Sequence, residues 1–390
     1  MTSPPTPPLK GEGRHRKEDE LLTPFSTPIT PDWQGFLRCL RREGTPQRTH
    51  FIELIIDGEV QDEICRRYHL LDGLDRSDPF FHYRRQIIVQ SFLGYDYVVV
   101  PGSVGESIDA GLFHHNLVTT DTASLQRLGG RSFVDEHRGP ITTWAEFEAY
   151  PWPDPASFST RALEWFEQNL PENMCMVGGL VGSIYENLSW LMGYETLCYA
   201  LYEQRDLVAA ISQKVCQLYW AELERILQFE RVKVVWGSDD LGYKTGTLIS
   251  PKDLRQFVLP GHQRLAQMAH AAGRPYILHS CGKLSAILDD LLDGVQIDGK
   301  HSFEDTIEDV RQVKFTYGRR IALLGGIDVD FLCRSSPEEI RQRVRDTLTR
   351  CLPGGGYLLG TGNTVANYIP IENYLVMLDE GQKFDPRLLS

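Results

Sequence analysis

The sequence predicts an α/β fold, a single (β/α)8 TIM barrel that follows a disordered tail and a short helical segment. Eight short, almost wholly apolar runs alternate with longer amphipathic stretches, which is typical of a parallel sheet covered by helices. A length of 390 residues suits one such barrel. The predicted strands are Thr49–Ile56, Tyr95–Ser103, Met174–Gly182, Val232–Asp240, Pro275–Gly282, Val295–His301, Ile321–Asp328 and Tyr357–Asn363. An open, doubly wound sheet is the alternative, although no GxGxxG motif follows the first strand.

The chain divides into two unequal parts. Residues 1–31 are rich in proline and contain the charged run Arg14–Glu20, so they cannot bury enough apolar surface to offset the entropy of ordering. We predict a disordered tail over residues 1–31 and one barrel domain over residues 32–390. Residues 104–170 exceed an ordinary connection and are predicted to form an elaborated loop over one end of the barrel.

The amphipathic stretches between the strands predict the outer helices. The pairs Ser250-Pro251 and Ser336-Pro337 are typical helix starts, because serine caps the first turn and proline fits the first helical position. The predicted helices are Gln34–Glu43, Pro79–Leu93, Glu186–Tyr202, Asp206–Phe229, Pro251–Ala272, Leu284–Leu292, Phe303–Tyr317, Pro337–Cys351 and Ile371–Glu380.

The composition limits the classes of function. The chain is 42% hydrophobic and 24% charged, which allows a large core. Its net charge of −13 argues against binding to nucleic acid or to anionic membrane surfaces. No apolar run reaches the roughly 18 residues that cross a bilayer, and no secretory stretch is present, so a cytoplasmic location is predicted. The eight cysteines are scattered without a CxxC pair, which does not indicate a disulfide scaffold.

Polar residues at the predicted strand ends indicate an enzyme. The carboxyl ends of the strands carry the active site in a barrel of this kind. Scattered solvent-facing charges would not recur at the same place in each unit, so we expect these side chains to converge on one cleft. They are Glu53, Tyr185, Glu186, Asp239, Asp240, His279, Cys281, His301, Asp328 and Asn363.

His279 and Cys281 give the sharpest local signal. Residues two apart in a strand face the same side, so the imidazole and the sulfur can converge on one point. Both groups bind zinc well, and a catalytic zinc site takes three protein ligands and one open position. Asp239 or Asp240 of the preceding strand could supply the third ligand, although only one of them points inward. Alternatively, the two side chains simply fill the barrel mouth, with Cys281 acting as a small hydrophobic residue.

A second signal is the run Asp239-Asp240-Leu-Gly-Tyr243-Lys244. Adjacent carboxylates followed by a glycine turn, a phenol and an amine could supply acid–base chemistry. In the alternative interpretation, one aspartate caps a helix and Lys244 neutralises the other.

Five stretches of the sequence form a set of motifs, namely GGLVGSIYENLSWLMGYE, GSDDLGYKTGTLISP, PYILHSCG, IALLGGID and GGYLLGTGNTVANYIPIENY. In their order and spacing they resemble the uroporphyrinogen decarboxylase superfamily. The resemblance runs from about Arg48 to Lys383 and implies a (β/α)8 barrel with its cleft at the carboxyl ends of the strands. One branch of the superfamily decarboxylates the acetate side chains of uroporphyrinogen without a cofactor. The other comprises corrinoid-linked methyltransferases that use zinc to activate a thiol.

The comparison disfavours the decarboxylase branch. Its arginine-rich motif after the first strand is replaced by Glu53-Leu-Ile-Ile-Asp57-Gly, and its aspartate after the second strand by Val100-Pro101-Gly102. The histidine of its last strand aligns with Thr361. A tetrapyrrole with eight carboxylates needs cations to bind it, whereas this cleft is predicted to be acidic.

Two of the three zinc ligands of the methyltransferase branch are present in this sequence. His279 and Cys281 match the first two in place and spacing, while Asn363 stands where that branch has its third ligand, a cysteine. The resemblance therefore implies that a carboxylate such as Asp240 or Glu186 completes the set, or that zinc binding is weak or lost.

These observations predict a zinc-assisted methyltransferase. It would move a methyl group between a corrinoid-binding partner protein and a thiol or other small molecule, as a monomer or homodimer. The metal ligands would be His279, Cys281 and Asp240; the catalytic residues Asp240, Glu186, Tyr243 and Lys244; and the substrate-binding residues Glu53, Tyr185, Asp239, His301, Asp328 and Asn363. One alternative is a metal-free decarboxylase (lyase) that acts on uroporphyrinogen or another carboxylated substrate. Another is a non-enzymatic barrel that carries or senses a corrinoid or tetrapyrrole.

Overall fold

The computed structural model describes residues 23–101, 116–135, 137 and 139–389. Two predictions lie outside these ranges: the disorder of residues 1–22, and the end of the second strand at Ser103.

A parallel sheet forms the centre of the fold. The strands of the described residues are β1 (Tyr97–Pro101), β2 (Asn116–Thr119), β3 (Arg131–Val134), β4 (Cys175–Val181), β5 (Val232–Ser238), β6 (Tyr276–His279), β7 (Gly299–His301), β8 (Ala322–Leu324) and β9 (Tyr357–Leu358). Seven of them pair in the order β1-β4-β5-β6-β7-β8-β9, so neighbours in the sheet follow one another along the chain. Such an order results from repeated strand–helix units, as the alternating pattern predicts.

The segment Thr49–Ile56 occupies the eighth position in the barrel. Phe51 pairs in parallel with Leu359 just beyond β9, and Ile56 pairs with Val365 further along. These are isolated bridges, whereas the other seven positions are strands that form ladders.

The opposite edge of this segment meets a side chain on β1. The N–H of Glu53 donates to the hydroxyl of Tyr97 at 2.9 Å, and that hydroxyl donates to the carbonyl of Glu53 at 3.2 Å. Because the phenol takes the place of a neighbouring backbone, the prediction of a regular first strand is wrong, although its position is right. The predicted (β/α)8 barrel is confirmed, with seven strands and one irregular segment.

Helices flank the sheet, mostly where the sequence predicts them. The predicted helix Glu186–Tyr202 is divided in two at Gly193, which has a φ of 79° that favours glycine. Leu284–Leu292 forms turns that lead into a π-helix over Asp290–Val295 instead of a regular α-helix. The described α-helices are Trp33–Leu40, Gly58–Arg67, Phe81–Leu93, Trp144–Ala149, Arg161–Asn169, Ile184–Met192, Tyr194–Glu203, Arg205–Ile226, Pro251–Phe257, Leu259–Ala271, Val310–Tyr317, Val329–Arg334, Pro337–Cys351 and Ile371–Lys383.

The two serine–proline helix starts are confirmed. The hydroxyl of Ser250 accepts from the N–H of Asp253 at 3.1 Å. Ser336 accepts from the N–H of Glu339 at 3.4 Å, and the Glu339 carboxylate accepts from the N–H of Ser336 at 2.8 Å, which completes a capping box.

Part of the long connection over residues 104–170 is an antiparallel pair formed by β2 and β3. The guanidinium of Arg131 on β3 donates to the side-chain oxygen of Asn367 at 2.6 Å. The Asn367 amide in turn donates to Asp121 at 2.6 Å. Since Asn367 follows the last strand, these bonds attach the connection to the barrel end at which the strands terminate.

Residues that precede the predicted domain boundary at residue 32 belong to the fold. Phe25 is 4% exposed and packs against Phe92, with 5.6 Å between ring centroids. The N–H and hydroxyl of Ser26 donate to one oxygen of Asp379 at 3.0 and 2.8 Å. The predicted tail therefore extends too far, since residues 23–31 join the fold through contacts that composition does not reveal.

Two features of the composition bear on the structure as expected. All eight cysteines are free, in agreement with the prediction that the chain is not a disulfide scaffold. Within the described ranges, no helix combines the length and the apolar character needed to cross a membrane.

Candidate metal centre

Three potential metal ligands converge where β5 and β6 end. Ligand atoms of Asp240, His279 and Cys281 all lie within 4.8 Å of one another. His279 Nε2 is 3.3 Å from Asp240 Oδ1 and 3.5 Å from Cys281 Sγ. The predicted set of His279, Cys281 and Asp240 is thus brought together at one point.

Two glycines allow the loops that carry these ligands to approach one another. Gly282 has a φ of 82°, and a Cβ at this position would lie 2.1 Å from the carbonyl carbon of Gly242. The loops are joined by a 3.0 Å hydrogen bond from Leu241 N to the hydroxyl of Ser280. The Gly282–Gly242 contact therefore requires the absence of side chains and fixes Asp240 beside Cys281.

The charge state of Asp240 suits a cation. Burial alone would raise its pKa, but the hydrogen bond and charge of His279 and the N–H of Cys281, which donates at 2.8 Å, lower the pKa to about 2. Burial raises the pKa of the Cys281 thiol well above its usual range, and the charge of Asp240 raises it further. A cation at this point would oppose both effects on the thiol.

The donor set fits a catalytic zinc ion. One imidazole, one thiol and one carboxylate make three protein ligands, which leaves a fourth position for a substrate group. Neighbouring side chains also orient two of the three ligands, as outer hydrogen-bond partners do in metal sites. These neighbours are His301, next to His279, and Asn363, next to Cys281.

Asn363 contacts the sulfur with its amide nitrogen. Its Nδ2 donates to Cys281 Sγ at 3.3 Å, and its Oδ1 accepts from the hydroxyl of Thr364 at 3.3 Å. The predicted substrate-binding residue is therefore also a hydrogen-bond donor to a candidate ligand.

His301 lies behind His279, away from the cleft. The two residues are paired across β6 and β7, and their Nδ1 atoms are 2.7 Å apart. Burial lowers the pKa of His301 well below its usual range, and the charges of His279 and Lys300 lower it further, so the ring is neutral at pH 7. His301 has no exposed surface, so its predicted role in substrate binding is corrected to contact with His279.

Asp239 points into the protein and anchors a helix. Its carboxylate accepts from the backbone N–H groups of Ile184, Tyr185 and Glu186 at 3.0–3.1 Å. His262 Nε2 is a further 2.8 Å contact. Because Asp239 is fully buried and its oxygens are occupied, its predicted role in substrate binding is wrong, and the alternative that one aspartate caps a helix is confirmed.

The anchored helix start places Glu186 near the three ligands. Burial raises the pKa of the half-buried Glu186 carboxyl well above its usual range, and the charges of Asp240 and Asp239 raise it further. These effects favour the protonated form of Glu186, whereas Asp240 is ionised at neutral pH. Tyr185, by contrast, lies in the core with only 2% of its surface exposed. Its burial does not support the predicted contact with substrate.

Glu53 is held inside the barrel by Thr361. Its carboxylate oxygens accept from the N–H of Thr361 at 2.8 Å and from the hydroxyl of Thr361 at 2.5 Å. Burial raises the pKa of Glu53 to about 8, against the opposing effect of these bonds. With 3% of its surface exposed, Glu53 links the first segment to the end of the last strand and does not line the cleft.

A cleft of about 770 Å³ opens at the carboxyl ends of the strands, and none of the three candidate ligands lines it. Lys244, Asp328 and Asn363 line it, and Asn363 connects it to Cys281. Asp328 also caps the helix Val329–Arg334 by accepting from Phe331 N at 3.0 Å. The volume is in the range of small-molecule sites.

The other predicted rim residues, Tyr243 and Lys244, are exposed. Within the described part of the chain, Lys244 forms no ion pair with Asp240, so it does not neutralise that carboxylate as the alternative interpretation proposed.

The sequence reasoning missed His262, whose Nδ1 contacts the hydroxyl of Tyr276 at 2.9 Å and whose Nε2 contacts Asp239. The sequence shows a histidine on the apolar face of the helix Leu259–Ala271, which could have drawn attention to this residue. It does not show that the partner is Asp239, 23 residues away.

Comparison with known proteins agrees with this geometry. Residues 136–384, more than half of the chain, match the family described as Uroporphyrinogen decarboxylase (URO-D). A methylated-thiol–coenzyme M methyltransferase of Methanosarcina mazei is 32% identical over 130 residues, which is 33% of this chain and 32% of that protein. The methylcobamide:CoM methyltransferase MtaA of Methanosarcina barkeri is 32% identical over 126 residues, which is 32% of this chain and 35% of that protein. The matches span about a third of the length of these curated relatives.

A solved structure shares the fold. A methyltransferase from Methanosarcina mazei superposes with a TM-score of 0.66 at 17% identity, covering 90% of this chain and 98% of the other. The chain belongs to the uroporphyrinogen decarboxylase (URO-D) family.

Proposed function

We propose that this chain is a zinc-assisted methyltransferase that moves a methyl group between a corrinoid-binding protein and a thiol or other small acceptor. The observation that carries the proposal is the convergence of Asp240, His279 and Cys281, which Asn363 connects to an open cleft. The names of the two curated relatives, a methylated-thiol and a methylcobamide methyltransferase, support the same chemistry.

His279, Cys281 and Asp240 would hold the metal in this proposal. Zinc, when bound, lowers the pKa of a thiol and so supplies a nucleophile at neutral pH. Asp240 is ionised at neutral pH and ready to accept a cation, and its bond to the N–H of Cys281 keeps the two ligands in register.

Glu186, Lys244 and Asn363 would act on the substrate. Burial favours the protonated form of the Glu186 carboxyl, in which it could donate a hydrogen bond beside Asp240. Lys244 offers a positive charge on the cleft wall, and the amide of Asn363 reaches both the cleft and the sulfur of Cys281. Tyr243 is 61% exposed and lies beside Lys244, where it could contact either the substrate or the partner.

The lining of the cleft also bears on the decarboxylase alternative. A lowered pKa at Asp240 beside a raised pKa at Glu186 is an arrangement suited to acid–base catalysis without a metal, which favours that alternative. However, four carboxylates and two cations line the cleft, an environment that repels a polycarboxylate such as uroporphyrinogen. They are Glu304, Asp305, Asp328 and Asp330, with Lys244 and Arg334.

Methyl transfer from methylcobalamin to a small thiol tests the proposal. We expect the zinc-loaded protein to consume methylcobalamin, followed by its visible absorbance, and His279→Ala to lose at least 100-fold in rate, since one of three ligands is gone. The variant Asp305→Asn, which alters the cleft and leaves the ligands intact, is the matched control. Release of carbon dioxide from a porphyrinogen, without methyl transfer, would instead support the lyase.

A further inference from the structure

We infer that His301 is a positioning residue for the metal, because its Nδ1 accepts a hydrogen bond from the Nδ1–H of His279 and thereby presents the Nε2 lone pair of His279 to the cation. The inference rests on the proposed zinc site and deepens it. It also gives His301 a role that contact with substrate cannot provide, because the side chain is fully buried.

The pairing of β6 with β7 sets the distance between His279 and His301. His279 and His301 end the neighbouring parallel strands β6 and β7 and are partners in register. Their Nδ1 atoms are 2.7 Å apart, and the ring centroids are 5.0 Å apart with 39° between the ring planes. Trp236 packs edge-on against His301 at 5.6 Å and holds the ring from the other side. Because backbone ladders place both residues, the distance does not depend on a loop.

A hydrogen bond between two neutral imidazoles has only two proton arrangements. Either His279 donates from Nδ1 and His301 accepts, or the reverse. His279 Nε2 faces Asp240 Oδ1 at 3.3 Å and Cys281 Sγ at 3.5 Å, so this nitrogen is the one aimed at the metal position. A nitrogen that binds a metal carries no proton, which leaves the proton of the neutral His279 ring on Nδ1 and makes His301 the acceptor.

Metal binding therefore fixes the tautomers of both rings. With the metal bound, the proton of His279 is on Nδ1, where it donates to His301 Nδ1, and the proton of His301 is on Nε2. Each ring then carries one proton.

Among the described residues, His301 Nε2 makes no hydrogen bond that would explain a buried histidine at this position. A Cβ on the adjacent Gly325 would lie 3.1 Å from it, so glycine leaves the nitrogen free of a side chain. A buried polar atom without a partner is unusual and destabilising. The histidine therefore contributes through its other nitrogen, which contacts His279.

The experiment compares His301→Asn with His301→Phe in the full chain. The Asn side-chain oxygen lies near the position of His Nδ1 and can accept a hydrogen bond, whereas Phe keeps the ring packing against Trp236 and accepts none. Zinc affinity is measured by competition with a chromophoric chelator. We expect His301→Phe to weaken zinc binding by 10–100-fold and His301→Asn by no more than about threefold. Equal affinity in wild type and His301→Phe, or equally weak binding in both variants, would overturn the inference.

A second measurement reads the proton positions in the zinc-loaded wild-type chain. Histidine-selective 15N labelling reports which nitrogen carries the proton, with the signals of His301 identified by their absence in whichever of the two His301 variants folds. With zinc bound, the proton of His301 should lie on Nε2 and that of His279 on Nδ1. A His301 Nδ1 that is protonated with zinc bound would overturn the inference.

The proposed function can fail independently of this role. If wild type binds no zinc, both the proposed function and the role of His301 are wrong. If zinc binds with the expected dependence on His301 but no methyl transfer occurs, the proposed function is wrong and the positioning role stands.

Discussion

The Nδ1 atoms of His279 and His301 lie 2.7 Å apart at the ends of two adjacent strands. His279 in turn contacts Asp240 and Cys281 with its other nitrogen. His301 therefore supports the ring of His279, whose other nitrogen lies with two further ligand atoms where β5 and β6 end.

Replacing Asn363 with cysteine should strengthen zinc binding. Asn363 Nδ2 is 3.3 Å from Cys281 Sγ, so a thiol at this position would lie within reach of the same cation. A thiolate is a far better zinc ligand than an amide, and we expect Asn363→Cys to raise the affinity by about tenfold or more, equivalent to about 1.4 kcal/mol. Chelator competition measures the change, and Asn363→Ala is the control. Affinity for Asn363→Cys no higher than for Asn363→Ala would show that position 363 does not reach the metal.

Adjacent aspartates should differ sharply when they are replaced. Asp239→Ala leaves three buried N–H groups and His262 without their acceptor, so we expect a loss of about 3–5 kcal/mol in the free energy of unfolding. Asp240→Asn should cost less, no more than about 2 kcal/mol, because the asparagine oxygen can still accept from the N–H of Cys281, while the variant loses a metal ligand. Urea denaturation of the metal-free proteins gives both numbers. Similar losses for the two variants would contradict the division of roles.

The close approach of two loops predicts a strict requirement for glycine at position 282. A Cβ there would lie 2.1 Å from backbone of Gly242, and φ is 82°. We expect Gly282→Ala to cost about 2–3 kcal/mol of unfolding free energy and to weaken zinc binding. The matched control is Gly246→Ala, where no atom lies within 4 Å of the added carbon. If Gly282→Ala matches this control in stability and zinc affinity, the loop contact does not set the ligand geometry.

Asp379 should make the stability of the fold sensitive to acid. Burial alone would raise its pKa, but Lys383, Ser26 and Arg341 lower it to about 2. A folded pKa below the unfolded value of about 3.9 stabilises the protein at every pH above that value, and the contribution disappears as the pH falls from about 4 to about 2. We expect Asp379→Asn to cost about 2 kcal/mol at pH 7 and almost nothing at pH 2. Unfolding curves at the two pH values decide, because a difference that does not shrink on acidification would contradict the assigned cause.

The sequence predicted the barrel because its signal is local. Apolar strands alternate with helical stretches, and seven of the eight predicted strands form ladders. The exception, Thr49–Ile56, has the composition of a strand. However, the N–H of Glu53 in this segment donates to the hydroxyl of Tyr97 instead of to a neighbouring backbone, and Tyr97 lies in another part of the sequence. The packing of Phe25 and Ser26 is also non-local, so composition alone wrongly assigned residues 23–31 to a disordered tail.

The candidate ligands were predictable for a similar reason. The i, i+2 spacing of His279 and Cys281 places both on one face, and the paired strand brings in Asp240. The sequence could not distinguish Asp239 from Asp240, since the choice depends on the N–H groups of a helix that begins at Ile184. The sequence also placed His301 at the substrate. Its contact with His279 depends on the register between β6 and β7, which the sequence does not reveal.

Metal content of the purified chain tests the central claim most directly. After dialysis against metal-free buffer, elemental analysis should find one zinc ion per wild-type chain and much less than one in Cys281→Ser. Cys333→Ser, which changes a partly buried thiol on the helix Val329–Arg334, should retain the wild-type zinc content. No zinc in the wild type, or the same zinc content in Cys281→Ser as in wild type, would contradict the assignment of this site.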